Sequence, residues 1–94
     1  MIVVNHNGQE HKVEWNHNNE VQAHGSNEML RCTNCYIKIG DNTVCEGTAI
    51  CAPADQYNKS VGRKLSLLNT LKNAGISKAD RAKFWSVYLD EIGR

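Results

Sequence analysis

Cys32-Thr33-Asn34-Cys35 is the first segment whose residue types and spacing could do chemistry. Two thiols at this spacing form one half of a zinc knuckle, and Cys45, Cys51 and His24 are available to complete a tetrahedral site. The other half is poorly spaced for that purpose, because five residues separate Cys45 from Cys51 and both fall in an alternating strand pattern. A redox dithiol needs a thiolate stabilised by a helix N-terminus or a cation, whereas Cys35 is followed by a strand pattern. A cysteine nucleophile needs an imidazole within reach; His6, His11, His17 and His24 are the candidates, and no acid is placed to orient any of them. The chain has no glycine-rich phosphate loop, no paired carboxylates and no HExxH motif. The thiols therefore read first as small apolar side chains, with no catalytic residue and no metal. If zinc is bound, Cys32, Cys35, Cys45 and Cys51 are its ligands.

The densest polar cluster is Asp55-Gln56-Tyr57-Asn58-Lys59, followed by Gly62-Arg63-Lys64. Pro53 forces an extended link into it, so it stands at a strand-to-helix junction. In a structural reading Asp55 or Asn58 caps the helix, Tyr57 packs over its start and Arg63 pairs with Asp55 or Asp90. In a functional reading Lys59, Arg63 and Lys64 form a basic ridge that meets phosphates or an acidic protein. The structural reading is favoured for Asp55 and Arg63, since an internal charge pair there fixes the angle at which the chain enters the helix.

The elements that position these groups follow from pattern. Asn7-Gly8 tolerates the positive φ of a two-residue hairpin turn, which sets Ile2 opposite Val13 and Val4 opposite His11. Ile2, Val4, Val13 and Trp15 then share one face. Residues 16–28 are rich in Asn, with Val21 and Ala23 as the only aliphatic side chains, and are expected to form a long polar loop. A second hairpin runs from Met29 to Ile39 and from Thr43 to Ala52, turning through Gly40-Asp41-Asn42. Its parity places Cys35, Ile37, Ile39, Cys45, Gly47, Ala49 and Cys51 on one small, apolar face.

That face suits a closely packed helix, expected from about Asn58 to Ala74 with Val61, Leu65, Leu67, Leu68 and Leu71 as its apolar stripe and Gly75 as its stop. Gly62 inside this helix costs about 1 kcal/mol relative to Ala, which implies a close approach to the sheet near Gly47 and Ala49. A second helix opens at Ser77 with Asp80 three residues on, and carries Phe84, Trp85, Val87, Tyr88, Leu89 and Ile92. The short link through Gly75-Ile76 makes the helices antiparallel neighbours. The expected fold is α+β, ββββαα: an antiparallel sheet of two hairpins packed by a C-terminal antiparallel helix pair.

Ninety-four residues suffice for one hydrophobic core, so residues 1–94 are expected to form one domain. No apolar run approaches the roughly 20 residues that cross a bilayer, and the opening apolar residues stop at Asn5; neither export nor membrane insertion is expected. Thiols in such a chain are expected to be reduced. The formal charge of +1 is unevenly spread, at −4 for residues 1–57 and +5 for residues 58–94. That polarity gives the surface an electrostatic direction.

The run from Gly47 to Leu65, with Cys51, Pro53, Asp55, Tyr57, Asn58, Lys59 and Gly62-Arg63-Lys64, resembles a segment of a group of small tailed-bacteriophage proteins. Arg81, Trp85 and Tyr88 fit the later part of that group's pattern. The likeness covers about the second half of the chain and implies a phage-encoded protein acting in the host cytoplasm. With no catalytic set, such a protein is expected to be a non-enzymatic accessory factor that binds a host protein and inhibits a defence system. Asp55, Tyr57, Lys59, Arg63, Lys64, Arg81 and Trp85 are its candidate contacts. The alternatives are a nucleic-acid-binding module using Lys59, Arg63, Lys64, Lys72, Lys78, Arg81 and Lys83, and a zinc-stabilised interaction domain.

Overall fold

The structure is a computed structural model that describes residues 1–22, 25, 29–51 and 58–92 and, for residues 18–22, the backbone alone. Four strands, β1 (Ile2–His6), β2 (Gln9–Gln22), β3 (Met29–Ile39) and β4 (Asn42–Ile50), precede two helices, α1 (Lys59–Asn73) and α2 (Lys78–Ile92). The strands form one antiparallel sheet in the order β1-β2-β3-β4, so each strand lies beside its neighbour in sequence. The expected ββββαα architecture is therefore the one observed.

Asn7 and Gly8 both take positive φ, 53° and 77°, which matches the right-handed twist of the flanking strands. Ile2 pairs with Val13 and Val4 with His11, as the turn residues dictate. In the second hairpin Gly40 takes φ 60° and β3 returns into β4 with Cys35 opposite Gly47 and Ile37 opposite Cys45. The register then shifts by one, so that Lys38 faces Thr43 and Val44 is the extra residue of a bulge.

The polar segment after Trp15 is not a loop throughout. β2 continues to Gln22, pairing Asn19 with Cys32 and Gln22 with Met29 after a register shift between Asn16 and Asn19. A ladder is held by backbone groups, so asparagines extend a strand once its partner is aligned, even without apolar side chains to bury. Residues 23, 24 and 26–28 of the expected loop lie outside the described residues.

α1 lies over β3 and β4, and α2 over β1. Asn58 caps α1 by accepting from the amides of Ser60 and Val61 at 2.9 and 3.2 Å; Gly75 closes it with φ 66°. Ser77 starts α2, its hydroxyl accepting from the Asp80 amide at 3.3 Å and its carbonyl from the Arg81 amide at 2.8 Å. Between sheet and helices lie Ile2, Val4, Val13, Cys35, Ile37, Leu67, Leu71, Phe84 and Tyr88. Burying each large apolar side chain stabilises the fold by roughly 1.5–3 kcal/mol.

The face that α1 turns to the sheet differs from the expected leucine stripe. Leu67 and Leu71 are buried, but Val61 and Leu65 are exposed at 53% and 45%. Beside Leu67 and Leu71, the residues that come closest to the sheet are Gly62, Ser66 and Thr70, one turn apart. A Cβ on Gly47 would stand 2.5 Å from the Thr70 nitrogen, so α1 meets β4 at a distance that only small residues allow. The buried hydroxyls are satisfied locally: Ser66 donates to the Arg63 carbonyl at 3.1 Å and Thr70 to the Ser66 carbonyl at 2.7 Å. On the flank of α1, Asn69 and Asn73 donate to the carbonyls of Thr48 and Glu46 at 2.9 and 3.1 Å, so side-chain amides occupy part of the β4 edge.

Candidate functional site

The thiols do not converge. Along β3 alternate side chains leave opposite faces, so Thr33 and Cys35 face α1 while Cys32 leaves the other side. A Cys-x-x-Cys pair on a regular strand cannot chelate one ion as it does on a turn. Cys35 is fully buried, and burial pushes its thiol up to about 12, against the lesser, opposing effect of a hydrogen bond with Thr70. Burial also raises Cys32 and Cys45, and Cys45 donates its thiol proton to the Thr70 carbonyl at 3.1 Å. All four cysteines are free, and no cluster of three or more His, Cys, Asp or Glu is gathered among the described residues. The conditional zinc set Cys32, Cys35, Cys45 and Cys51 is therefore not assembled by this sheet. The raised thiols of Cys32, Cys35 and Cys45 suit packing better than nucleophilic attack.

Three histidines have structural contacts. His11 Nδ1 and the Gln9 carbonyl are 3.0 Å apart, and the rings of His6 and His11 lie 5.3 Å apart, both against Phe84 of α2. This packing ties the first hairpin to α2. His17 Nδ1 meets Thr33 Oγ1 at 3.1 Å beneath the first turn of α1. Burial lowers its pKa, and the positive charges of Arg63 and then Lys59 lower it further.

The expected contact residues separate into groups. Asp55 and Tyr57 lie outside the described residues. Lys59 and Lys64 are exposed on α1, whereas Arg63 is half-buried and its Nε is enclosed without a hydrogen-bond partner. The ion pairs of the described residues join Lys38 to Glu14 at 3.1 Å and Lys83 to Asp80 at 3.7 Å, and neither includes Arg63. Its carbonyl accepts from the Trp15 indole at 3.1 Å, so residue 63 is a tie between helix and sheet. The basic ridge of Lys59, Arg63 and Lys64 is thus divided by exposure, with its middle member half-buried.

Arg81 and Trp85 are brought together on α2. With Lys78, Ala82, Ser86 and Leu89 they line a shallow, open cleft. Trp85 is half-buried and stands edge-on to Tyr88 with ring centroids 5.7 Å apart; Tyr88 in turn packs on Trp15 at 5.8 Å. This aromatic series anchors the cleft to the core. Leu89 and Ile92, apolar residues of the same helix, are exposed at 55% and 48%. The signal that could have separated them is helical phase: Phe84 and Tyr88 face the sheet, and Trp85, Leu89 and Ile92 lie further around the helix.

Compared with protein-family models, curated proteins and solved structures, the chain matches none.

Proposed function

We propose that the chain is a non-enzymatic bacteriophage accessory protein that binds a host protein in the host cytoplasm and inhibits a defence system. The observation that carries the binding reading is the α2 cleft, where two cations, an aromatic and an aliphatic side chain share one open face. Exposed apolar surface beside arginine and tryptophan is characteristic of protein contact sites. The phage resemblance of residues 47–65, with Arg81, Trp85 and Tyr88, supports the origin and the compartment. No helix of the described residues is long and apolar enough to cross a membrane.

The test is affinity capture from bacterial lysate, comparing the native chain with Lys78→Glu/Arg81→Glu and with Lys59→Glu/Lys64→Glu. A partner retained by the native chain and lost with one charge-reversed pair, at an unchanged melting temperature, supports the reading. Identical capture by all three proteins contradicts it.

A second reading has its own observation. α1 contains Lys59, Arg63, Lys64 and Lys72 and no carboxylate, and its three lysines are exposed. Such a helix could track a phosphate backbone. Binding to duplex DNA would then weaken with salt at a log-log slope of about −0.9 per phosphate neutralised. A mobility-shift titration that shows no complex at low salt removes this alternative.

A further inference from the structure

We propose that the cleft along α2 receives an amphipathic helix of a partner protein, carrying carboxylates at one end of its apolar stripe. This rests on the binding reading above and specifies the partner's chemistry.

Lys78, Arg81, Ala82, Trp85, Ser86 and Leu89 recur at steps of three and four, so they lie along one side of α2. At 1.5 Å per residue the cleft is about 17 Å long, or three turns of an opposing helix. Its two ends differ in character. The N-terminal end presents the cations Lys78 and Arg81; the C-terminal end presents Trp85 and Leu89, with exposed Ile92 one turn on. Ala82 and Ser86 are small and exposed, and they leave a trough beside the larger Arg81 and Trp85 into which the ridge of a second helix can settle. Trp85 is already held by its edge-on contact with Tyr88, so it can serve as an anchor with little further ordering.

Charge selects the occupant. The carboxylates of α2, Asp80, Asp90 and Glu91, project about a third of a turn or more away from the line through Trp85, and Asp80 is engaged by Lys83. The N-terminal end of the cleft, at Lys78 and Arg81, therefore presents uncompensated positive charge, while Asp90 and Glu91 border the C-terminal end. Duplex DNA would meet two cations among mainly apolar or small side chains, a poor match to a row of phosphates. An anionic bilayer would be attracted at Lys78 and Arg81 but repelled beside the apolar end, where Asp90 and Glu91 flank Leu89 and Ile92. A protein helix with carboxylates opposite Lys78 and Arg81 and aliphatic residues opposite Trp85 and Leu89 satisfies both ends.

The experiment is an amide-resonance titration of the full chain with helix-forming peptides of one design. One bears a Leu/Phe stripe ending in Glu residues; the other has Lys in their place. Phosphatidylglycerol vesicles and a short DNA duplex are run in parallel. The expected result is that the Glu peptide shifts resonances of residues 78–92 and binds about tenfold more tightly than the Lys peptide, a difference of about 1.4 kcal/mol. Lys78→Glu/Arg81→Glu should reverse that order and Leu89→Glu should abolish binding, with melting temperatures little changed because Lys78 and Leu89 are exposed and Arg81 is only half-buried. Equal affinity for the two peptides, shifts centred on α1 or the sheet, or no binding of the Glu peptide overturns the proposal. So does saturable binding of vesicles or DNA that the same substitutions remove. If lysate capture depends on Lys59 and Lys64 but survives Lys78→Glu/Arg81→Glu, this assignment fails while the broader binding reading stands.

Discussion

Gly62 of α1 lies directly against the side chain of Thr33 on β3, so close that a Cβ at position 62 would collide with Thr33 Oγ1. Thr33 is fully buried and its hydroxyl is held by His17, so it has little room to yield. In an exposed helix Ala would be favoured over Gly by about 1 kcal/mol. Here the steric term should win, and Gly62→Ala should destabilise the chain by about 1–3 kcal/mol. Urea unfolding measures this; a rise in the midpoint would show that α1 does not approach β3 as described.

Cys35 should resist alkylation in the folded protein, because its thiol is enclosed and titrates only at about 12. The raised value also sets a direction for stability. The folded state keeps a proton that the unfolded chain releases near 9, so the contribution of this thiol is whole below that pH and is lost as pH rises from about 9 toward 12. Cys35→Ala should make the melting temperature less sensitive to pH across this range. Rapid labelling of Cys35 at neutral pH, read by peptide mass spectrometry, would contradict its burial.

His17 acts in the opposite part of the pH scale. Its folded pKa lies below the ordinary 6.5, so the unfolded chain takes up the proton first as the medium is acidified. Its contribution is whole above 6.5 and is lost as pH falls through the lower folded value. His17→Gln, which keeps a polar group toward Thr33, should flatten the decline of the melting temperature between about pH 7 and pH 5. An unchanged slope would mean that His17 is not held beside Arg63 and Lys59.

Asn69→Ala with Asn73→Ala should remove two amides from the β4 edge. These bonds are exposed, so the loss of stability should be modest, about 0.5–1.5 kcal/mol for each. The larger consequence is an uncovered strand edge, and light scattering of the double variant on warming should show self-association before the native chain does. Equal scattering would indicate that these amides do not guard the edge.

The register of the first hairpin was legible because Asn7-Gly8 admits few turns, and the second because its parity gathers small apolar residues on one side. The helix boundaries were legible at Asn58, one of two candidate caps, and at Gly75 and Ser77, where single side chains or one positive φ meet a local need. The sheet-facing side of α1 was legible in part: Gly62 implies a close approach and Leu67 and Leu71 burial, whereas Ser66 and Thr70 were missed. Val61 and Leu65 suggest burial but are exposed, and beside Leu67 and Leu71 the closest contact is made by Gly62, Ser66 and Thr70, chosen for size and not for hydropathy. Their spacing against Gly47 was the available signal. The extension of β2 past Trp15 was hidden for a different reason, since backbone pairing to β3 leaves no pattern in an asparagine-rich segment. In the candidate site, Arg81 and Trp85 came from likeness to a phage segment, and the structure adds Lys78, Ala82, Ser86 and Leu89 as their companions.

The most direct measurement of the central claim is site-specific photocrosslinking in the bacterial host. A photoreactive phenylalanine analogue is placed at Ser86, in the α2 cleft, and separately at Val44, exposed on β4. The account predicts a discrete protein adduct from position 86, suppressed by Arg81→Glu, and none of that mass from position 44. An adduct formed from position 44 and absent from position 86 would place the contact on the sheet and contradict the account.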